Sequence, residues 1–231
     1  MRKIAGGLFM AGLVLAAAPL LGQRGGMGMG MAPPTFNGIW NPIVGAGSAY
    51  EMVQKDGTKQ EMQIAIVKKE TVDGKDGFWL EFLMDSKDGQ TAMQQLMLKD
   101  GEQVTVSKMV VQTPGQPPME ISMQMMGMMA GRGGGMAPPA KAFADARANS
   151  ERVGNESITT PAGTFDCEHF RQKDGSGDFW ISPKVYPWAV VKATGTNGNM
   201  LLIKVITDAK SHITGTPIKM EDMMRGRGPG L

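Results

Sequence analysis

Apolar and polar residues alternate along two stretches of the chain, and this alternation predicts β-strands. Between Gly47 and Gln112, apolar side chains fill every second position of several short runs, for example Phe78, Leu80 and Phe82. The same pattern returns between Glu151 and Gly215. A period of two places successive side chains on opposite faces, so each run predicts a strand that is half buried on one face.

Short turn sequences separate these runs at regular intervals. The turns that carry Asp-Gly or Asn-Gly are Asp56-Gly57, Asp73-Gly74-Lys75-Asp76-Gly77, Asp88-Gly89, Asp100-Gly101, Asp174-Gly175 and Asn197-Gly198. Glycine accepts the positive φ of tight hairpins, so the strands are expected to pair antiparallel with their neighbours in sequence. The prediction is a mainly β protein of the α+β class, with roughly ten strands in a curled antiparallel sheet or open half-barrel.

One or two helices are expected between the two runs of hairpins. The alanine-rich segment from Pro139 to Ser150, with proline near its start, is the stronger candidate. The segment from Met119 to Ala130 is the weaker one. With one face apolar, such a helix would fill the concave side of the sheet.

The flanking segments predict how the chain is organised. Residues 1–22 combine a basic start with an apolar run and read as a secretory signal peptide cleaved near Gly22; a retained membrane helix is the alternative. A Gly/Met-rich linker at 23–35 is expected to precede one β-rich domain at 36–216. Trp40 is expected to pack this linker onto the domain. That domain carries a Met/Gly-rich insertion at 113–150, and a flexible tail follows at 217–231. The mature protein is therefore expected to be periplasmic or secreted, without a transmembrane helix.

Composition and charge exclude several classes of function. Lys and Arg total 24 and Asp and Glu total 22; without Arg2 and Lys3, in the predicted signal peptide, the two counts are equal. This balance argues against nucleic-acid binding, which needs clustered excess positive charge. A single cysteine excludes an intrachain disulfide and a multi-cysteine metal site. No motif in the sequence indicates a cofactor.

The C-terminal run resembles known proteins. The sequence from Ile158 to Cys167 reads ITTPAGTFDC, and the later segments DFWIS from Asp178 and WAVVK from Trp188 follow it. Together they resemble uncharacterised secreted bacterial families with a TPAGTF-x-C hairpin. More distantly, they resemble the superfamily of periplasmic lipoprotein carriers and sorting proteins. The resemblance covers Ser157 to Lys204.

The resemblance to the carriers implies a fold and a ligand. Their fold is an open antiparallel half-barrel wrapped over helices, with a concave apolar groove for acyl chains. The expected function is accordingly a non-enzymatic binding or carrier module for acyl chains or a lipidated partner. The side chains expected to line its groove are Phe78, Leu80, Phe82, Phe165 and Trp180.

Methionines support an alternative function. The chain has 22 of them, and several crowd the segment from Met119 to Met129. Thioethers are soft ligands that suit Cu(I). A methionine-rich protein that binds copper or buffers oxidants would use Met123, Met126, Met129, Cys167 and His169. The same methionines, set among Gly, Ala and Pro, are also typical of a linker.

A second alternative is a thiol or esterase-type hydrolase. Cys167 and His169 lie two residues apart on a predicted strand and so share a face with Phe165. A thiol beside an imidazole is the start of a nucleophile and base pair, but no third orienting group is identifiable. The other interpretation of Cys167 is a small buried apolar side chain.

Overall fold

A computed structural model describes residues 40–86, 89–101, 103–122, 125, 148–196 and 198–224 of the chain. This part is almost entirely β-structure and ends in one short helix. The strands are β1 (Gly47–Gln54), β2 (Lys59–Val72), β3 (Lys75–Ser86), β4 (Gly89–Asp100), β5 (Gln103–Gln112), β6 (Met119–Ser122), β7 (Ser150–Thr160), β8 (Gly163–Gln172), β9 (Gly177–Ile181), β10 (Val190–Gly195), β11 (Gly198–Ile206) and β12 (Ile218–Lys219), and the helix is α1 (Met220–Met224).

All twelve strands belong to one sheet, in the order β12-β6-β5-β4-β3-β2-β1-β11-β10-β9-β8-β7. Strands that are neighbours in sequence pair antiparallel through β1–β6 and again through β7–β11, as the turn sequences predict. The antiparallel pairing of β1 with β11 joins the two runs. Only β12, which pairs with β6, is parallel to its neighbour in the described part of the chain.

The sheet is curled and open, as predicted. One apolar cluster contains Val104 of β5 and Phe165 of β8, two strands that are far apart in the strand order. Each strand that lies between them in the order also contributes side chains, so the cluster runs continuously along the sheet. The cluster therefore forms a core shared by both runs of hairpins.

Strand β3 shows the expected alternation, but both of its faces are buried. Phe78, Leu80 and Phe82 lie in the main cluster, whereas Trp79 lies in a second cluster on the opposite face. The sequence predicts a solvated second face. In the structure, residues 207–217 cross that face, and Ile213 packs against the second cluster.

A buried carboxylate holds this crossing segment in place. Glu81 of β3 is 3% exposed. Its Oε2 accepts hydrogen bonds from Gln94 Nε2 at 2.7 Å and from the His212 backbone N–H at 3.0 Å. His212 Nδ1 lies 2.7 Å from Oε1. Because a buried carboxylate is costly without such partners, Glu81 fixes the position of the segment.

Two segments differ from the sequence-based expectation. Met119–Ser122, predicted to begin a helix, is the strand β6, since Met119 and Ile121 alternate with polar residues and complete the ladder of β5. The segment predicted as a tail from residue 217 begins with β12 and α1, where Ile218 pairs with Met119.

Other expectations fall on residues that are not described. The predicted signal peptide at 1–22, the linker at 23–35 and most of the insertion at 113–150 lie outside the described residues. The predicted helix from Pro139 also lies mostly outside them, and its last residue, Ser150, is the first of β7. No helix in the described part of the chain is long and apolar enough to span a bilayer.

Candidate functional site

A patch of side chains on β7, β8 and β9 forms one wall of the candidate site. The register pairs Asn155 with Glu168 and Glu168 with Ile181, and it pairs Ser157 with Asp166. Paired residues point to the same face of a sheet, as do residues two apart on one strand. These five side chains therefore lie together near the end of the sheet.

The opposite wall is the loop between β9 and β10. Its turns are closed by backbone hydrogen bonds from Ser182 to Ala189 at 2.7 Å and from Ala189 to Val185 at 3.0 Å. Side chains of β1 hold it from behind, since Ser48 Oγ donates to the Tyr186 carbonyl at 2.7 Å. The Tyr50 hydroxyl likewise donates to the carbonyl of Val190, the first residue of β10, at 2.9 Å. The loop is thus a fixed wall.

Ala189 has an unusual backbone conformation in this wall. Its φ of 62° lies in the left-handed region, which residues with a Cβ rarely adopt. Such conformations persist where the surroundings determine them, and the two loop hydrogen bonds of Ala189 do so here. As a result, a methyl side chain, with no polar group, faces the space between the walls.

Trp40 and Asn41 complete the site. The Trp40 and Trp188 rings lie 4.6 Å apart, and the Asn41 backbone N–H donates to the Pro187 carbonyl at 3.1 Å. The open pocket between these elements has a volume of about 860 Å³. Its lining residues are Trp40, Asn41, Asn155, Glu156, Ser157, Asp166, Cys167, Glu168, Ile181, Pro183, Val185 and Ala189. Ligand sites usually have volumes of about 300 to 1,000 Å³, so the pocket is large enough for a small molecule.

The two walls differ in polarity. The apolar groups Trp40, Pro183, Val185 and Ala189 come from the N-terminal segment and the loop, with Ile181 at the end of β9. The strands supply carboxylates and small polar groups. An amphipathic ligand could therefore place its apolar part against the loop and its polar part against the strands.

His169 lies in a network of charged and aromatic groups beside this pocket. Its Nε2 lies 2.7 Å from Asp178 Oδ1, and its Nδ1 lies 3.0 Å from Glu156 Oε1. Burial raises the pKa of Asp178, but the hydrogen bonds and charges of His169 and Arg171 outweigh it and hold that pKa below its usual value. Both ring nitrogens of His169 are thus committed to carboxylates.

Cys167 is not paired with His169 as a nucleophile would be. Its side chain is 3% exposed, and Sγ donates to the Phe165 carbonyl at 3.4 Å. Burial, followed by the charges of Asp166 and Glu156, raises the pKa of the thiol to about 11. A buried thiol with such a pKa is a poor nucleophile at neutral pH, so the geometry does not favour the hydrolase hypothesis.

The copper hypothesis gains no support from the described residues. Met123, Met126 and Met129 lie outside them. In the ranges that the structure covers, no group of three or more His, Cys, Asp and Glu side chains could hold a metal ion. The buried, protonated thiol of Cys167 is also a poor soft ligand.

The five side chains predicted to line an apolar groove are all buried. Phe78, Leu80, Phe82, Phe165 and Trp180 belong to the main core cluster, and none of them lines the pocket. The Trp180 ring is covered by its own neighbours: His169 stacks on it at 4.5 Å, and Lys192 Nζ lies 4.5 Å from its centroid. The structure therefore places these residues apart from the candidate site.

Sequence reasoning missed most of the pocket lining. Asn155, Ser157, Asp166 and Glu168 are the polar positions of two predicted strands, a pattern typical of a solvated sheet face. Nothing in the sequence shows that a loop closes over them. The turn-rich stretch after Ile181 was the one available signal of a structured loop.

Comparison with solved structures finds proteins that are similar to this chain at low sequence identity. A "putative lipoprotein" from Parabacteroides distasonis has a TM-score of 0.35 and 15% identity over 74% of this chain and 98% of its own. A "putative exported protein with YmcC-like fold" from Bacteroides fragilis has a TM-score of 0.33 and 10% identity over 75% of this chain and 99% of its own. No family model matches the chain, and no curated protein does.

Proposed function

We propose that this protein is an exported, non-enzymatic binding module whose ligand occupies the pocket between β7–β9 and the loop from Ser182 to Ala189. Export is inferred from the signal-like residues 1–22. The resemblance of the C-terminal run to lipoprotein carriers supports an acyl chain, free or on a lipidated partner, as the ligand's apolar part.

The observation that carries the proposal is the pairing of an apolar wall with a polar wall around a pocket of about 860 Å³. Small-molecule sites are concave and mostly apolar, with a few polar groups that orient the ligand. The loop wall is fixed by hydrogen bonds before any ligand arrives, which limits the entropy lost on binding.

The charge around His169 also supports binding rather than catalysis. A general base needs a free acceptor nitrogen within reach of the substrate. Each nitrogen of His169 instead faces a carboxylate, Glu156 or Asp178, and Trp180 stacks on the ring. His169 stabilises the wall of the pocket in this arrangement.

The proposal is tested by titrating the purified protein with N-phenyl-1-naphthylamine, a neutral apolar dye that fluoresces when it leaves water. We expect saturable binding that Ser157→Trp weakens at least about tenfold, because Ser157 is an exposed lining residue and an indole there fills the mouth. Glu151→Trp is the matched control: it is exposed on the same strand and does not line the pocket.

Two results would contradict the proposal. One is the absence of saturable binding to the parent protein. The other is equal binding by the two tryptophan variants, with thermal unfolding showing that both remain folded.

A further inference from the structure

The pocket carries negative charge on its polar wall. Three of the lining residues are acidic, Glu156, Asp166 and Glu168, whereas none of the twelve is Lys, Arg or His. Glu156 pairs with Cys167, so its side chain lies on the opposite face of the sheet, and Asp166 and Glu168 supply the charge of this wall. A ligand that enters this pocket meets carboxylates and, in the part of the chain that the structure describes, no lining cation.

Two of the three carboxylates already face a cation or proton donor of the protein. Glu156 Oε1 lies 3.0 Å from His169 Nδ1 and also accepts the indole N–H of Trp180. Glu168 Oε1 lies 3.3 Å from Arg152 Nε, in a pair that is about half exposed. Such exposed pairs are weak, so Arg152 only partly offsets the charge of Glu168.

Asp166 differs from both. Among the described residues, no hydrogen-bond donor or cation pairs with its carboxylate. It lies between Glu168 on its own strand and Ser157 across the ladder, on the wall that faces Trp40 and the loop. Its charge is thus available to a ligand.

The negative charge of this wall decides which head group of a ligand it favours. A carboxylate head group would lie beside like charges while it loses water, which opposes binding. An ammonium would meet Asp166 and Glu168 as counter-charges, and the indole of Trp40 in the facing wall offers an electron-rich surface that also suits a cation.

We infer that the pocket selects single-chain amphiphiles with a cationic head, of the alkylammonium class. The chain lies against Pro183 and Ala189, the lining residues of the loop that are not fully buried, and the ammonium lies at Asp166. This inference rests on the proposed function, because it assigns a head group to the ligand of the same pocket.

The test uses three competitors with the same dodecyl chain, each below its critical micelle concentration, to displace N-phenyl-1-naphthylamine. Their heads are trimethylammonium, neutral tetraethylene glycol and carboxylate. We expect the cation to bind about tenfold more tightly than dodecanoate, with the neutral ether between them, and this ratio to fall as salt rises.

Asp166→Asn supplies the decisive variant. It preserves size and removes the charge, so the preference for the cation should fall to about twofold or less, with neutral binding unchanged. Asp208→Asn is the matched control, since Asp208 is exposed and does not line the pocket; it should keep the full ratio.

The outcomes separate this inference from the proposed function. Equal binding of the three heads, or a cation preference that survives Asp166→Asn, overturns the inference and leaves the binding function intact. Failure of the dye and all three competitors to bind overturns both.

Discussion

Cys167 and His169 lie two residues apart on β8, and the structure gives each a different role. The sequence correctly places them on one face, because the ladder between β7 and β8 runs without a shift from Phe165 to His169. It does not show that Glu156 and Asp178, from β7 and β9, take both nitrogens of His169. Partners from other strands decide the chemistry of such a pair.

The thiol of Cys167 is expected to be unreactive in the folded protein. Because burial raises its pKa to about 11, almost none of it is thiolate at neutral pH. We predict that iodoacetamide labels the native protein at pH 7.5 at least about a hundredfold more slowly than the urea-unfolded chain, where the thiol has its usual pKa. The native rate should rise steeply as the pH approaches 11.

Cys167 is the chain's single cysteine, so mass spectrometry reads this rate at one site. Equal labelling of native and unfolded protein at pH 7.5 would show that the thiol is accessible and activated. The hydrolase and copper hypotheses would then return.

At the scale of elements, the hairpin of β7 and β8 depends on a turn that the sequence specifies. Thr160 pairs with Gly163 across Pro161 and Ala162, and Gly163 has a φ of 127°. A branched residue resists this conformation, so Gly163→Val should lower the free energy of unfolding by about 1 to 3 kcal/mol. Urea denaturation measures the change.

Gly154→Val is the control on the neighbouring strand. Gly154 does not have a positive φ, and a Cβ there meets no atom within 4 Å. Its replacement should change stability by less than about 0.5 kcal/mol. Similar losses for both variants would mean that the loss reflects strand glycines in general and not the turn.

Local signals explain how much of the fold could be predicted. The Asp-Gly turns fix the hairpins, as the positive φ of Gly74 and Gly101 confirms. The pairing of β1 with β11 and the crossing of residues 207–217 over β3 depend on contacts between distant parts of the chain. A single sequence carries no local signal for these. It predicts a helix from Met119 because the strand that pairs at this edge, β12, lies about a hundred residues further along the chain.

At the scale of the whole molecule, the centre of the apolar core and the candidate ligand pocket lie at different places on the curled sheet. Aromatic side chains on β3 and β9, which the sequence suggested for a groove, fill the shared core. The pocket lies instead where β7, β8 and β9 meet the loop before β10 and the segment at Trp40. The central claim is that ligand binds at this end of the sheet and not within the core.

Nuclear magnetic resonance of the ¹⁵N-labelled protein tests this claim most directly, because each of the chain's four tryptophans gives one indole N–H signal. On saturation with N-phenyl-1-naphthylamine, we predict a large shift for the indole of Trp40 and for the amides of Ser157 and Asp166, with Trp79, in the second cluster, unchanged. Shifts confined to the amides of β3 around Phe82, with Trp40 unmoved, would place the ligand in the core and contradict the account.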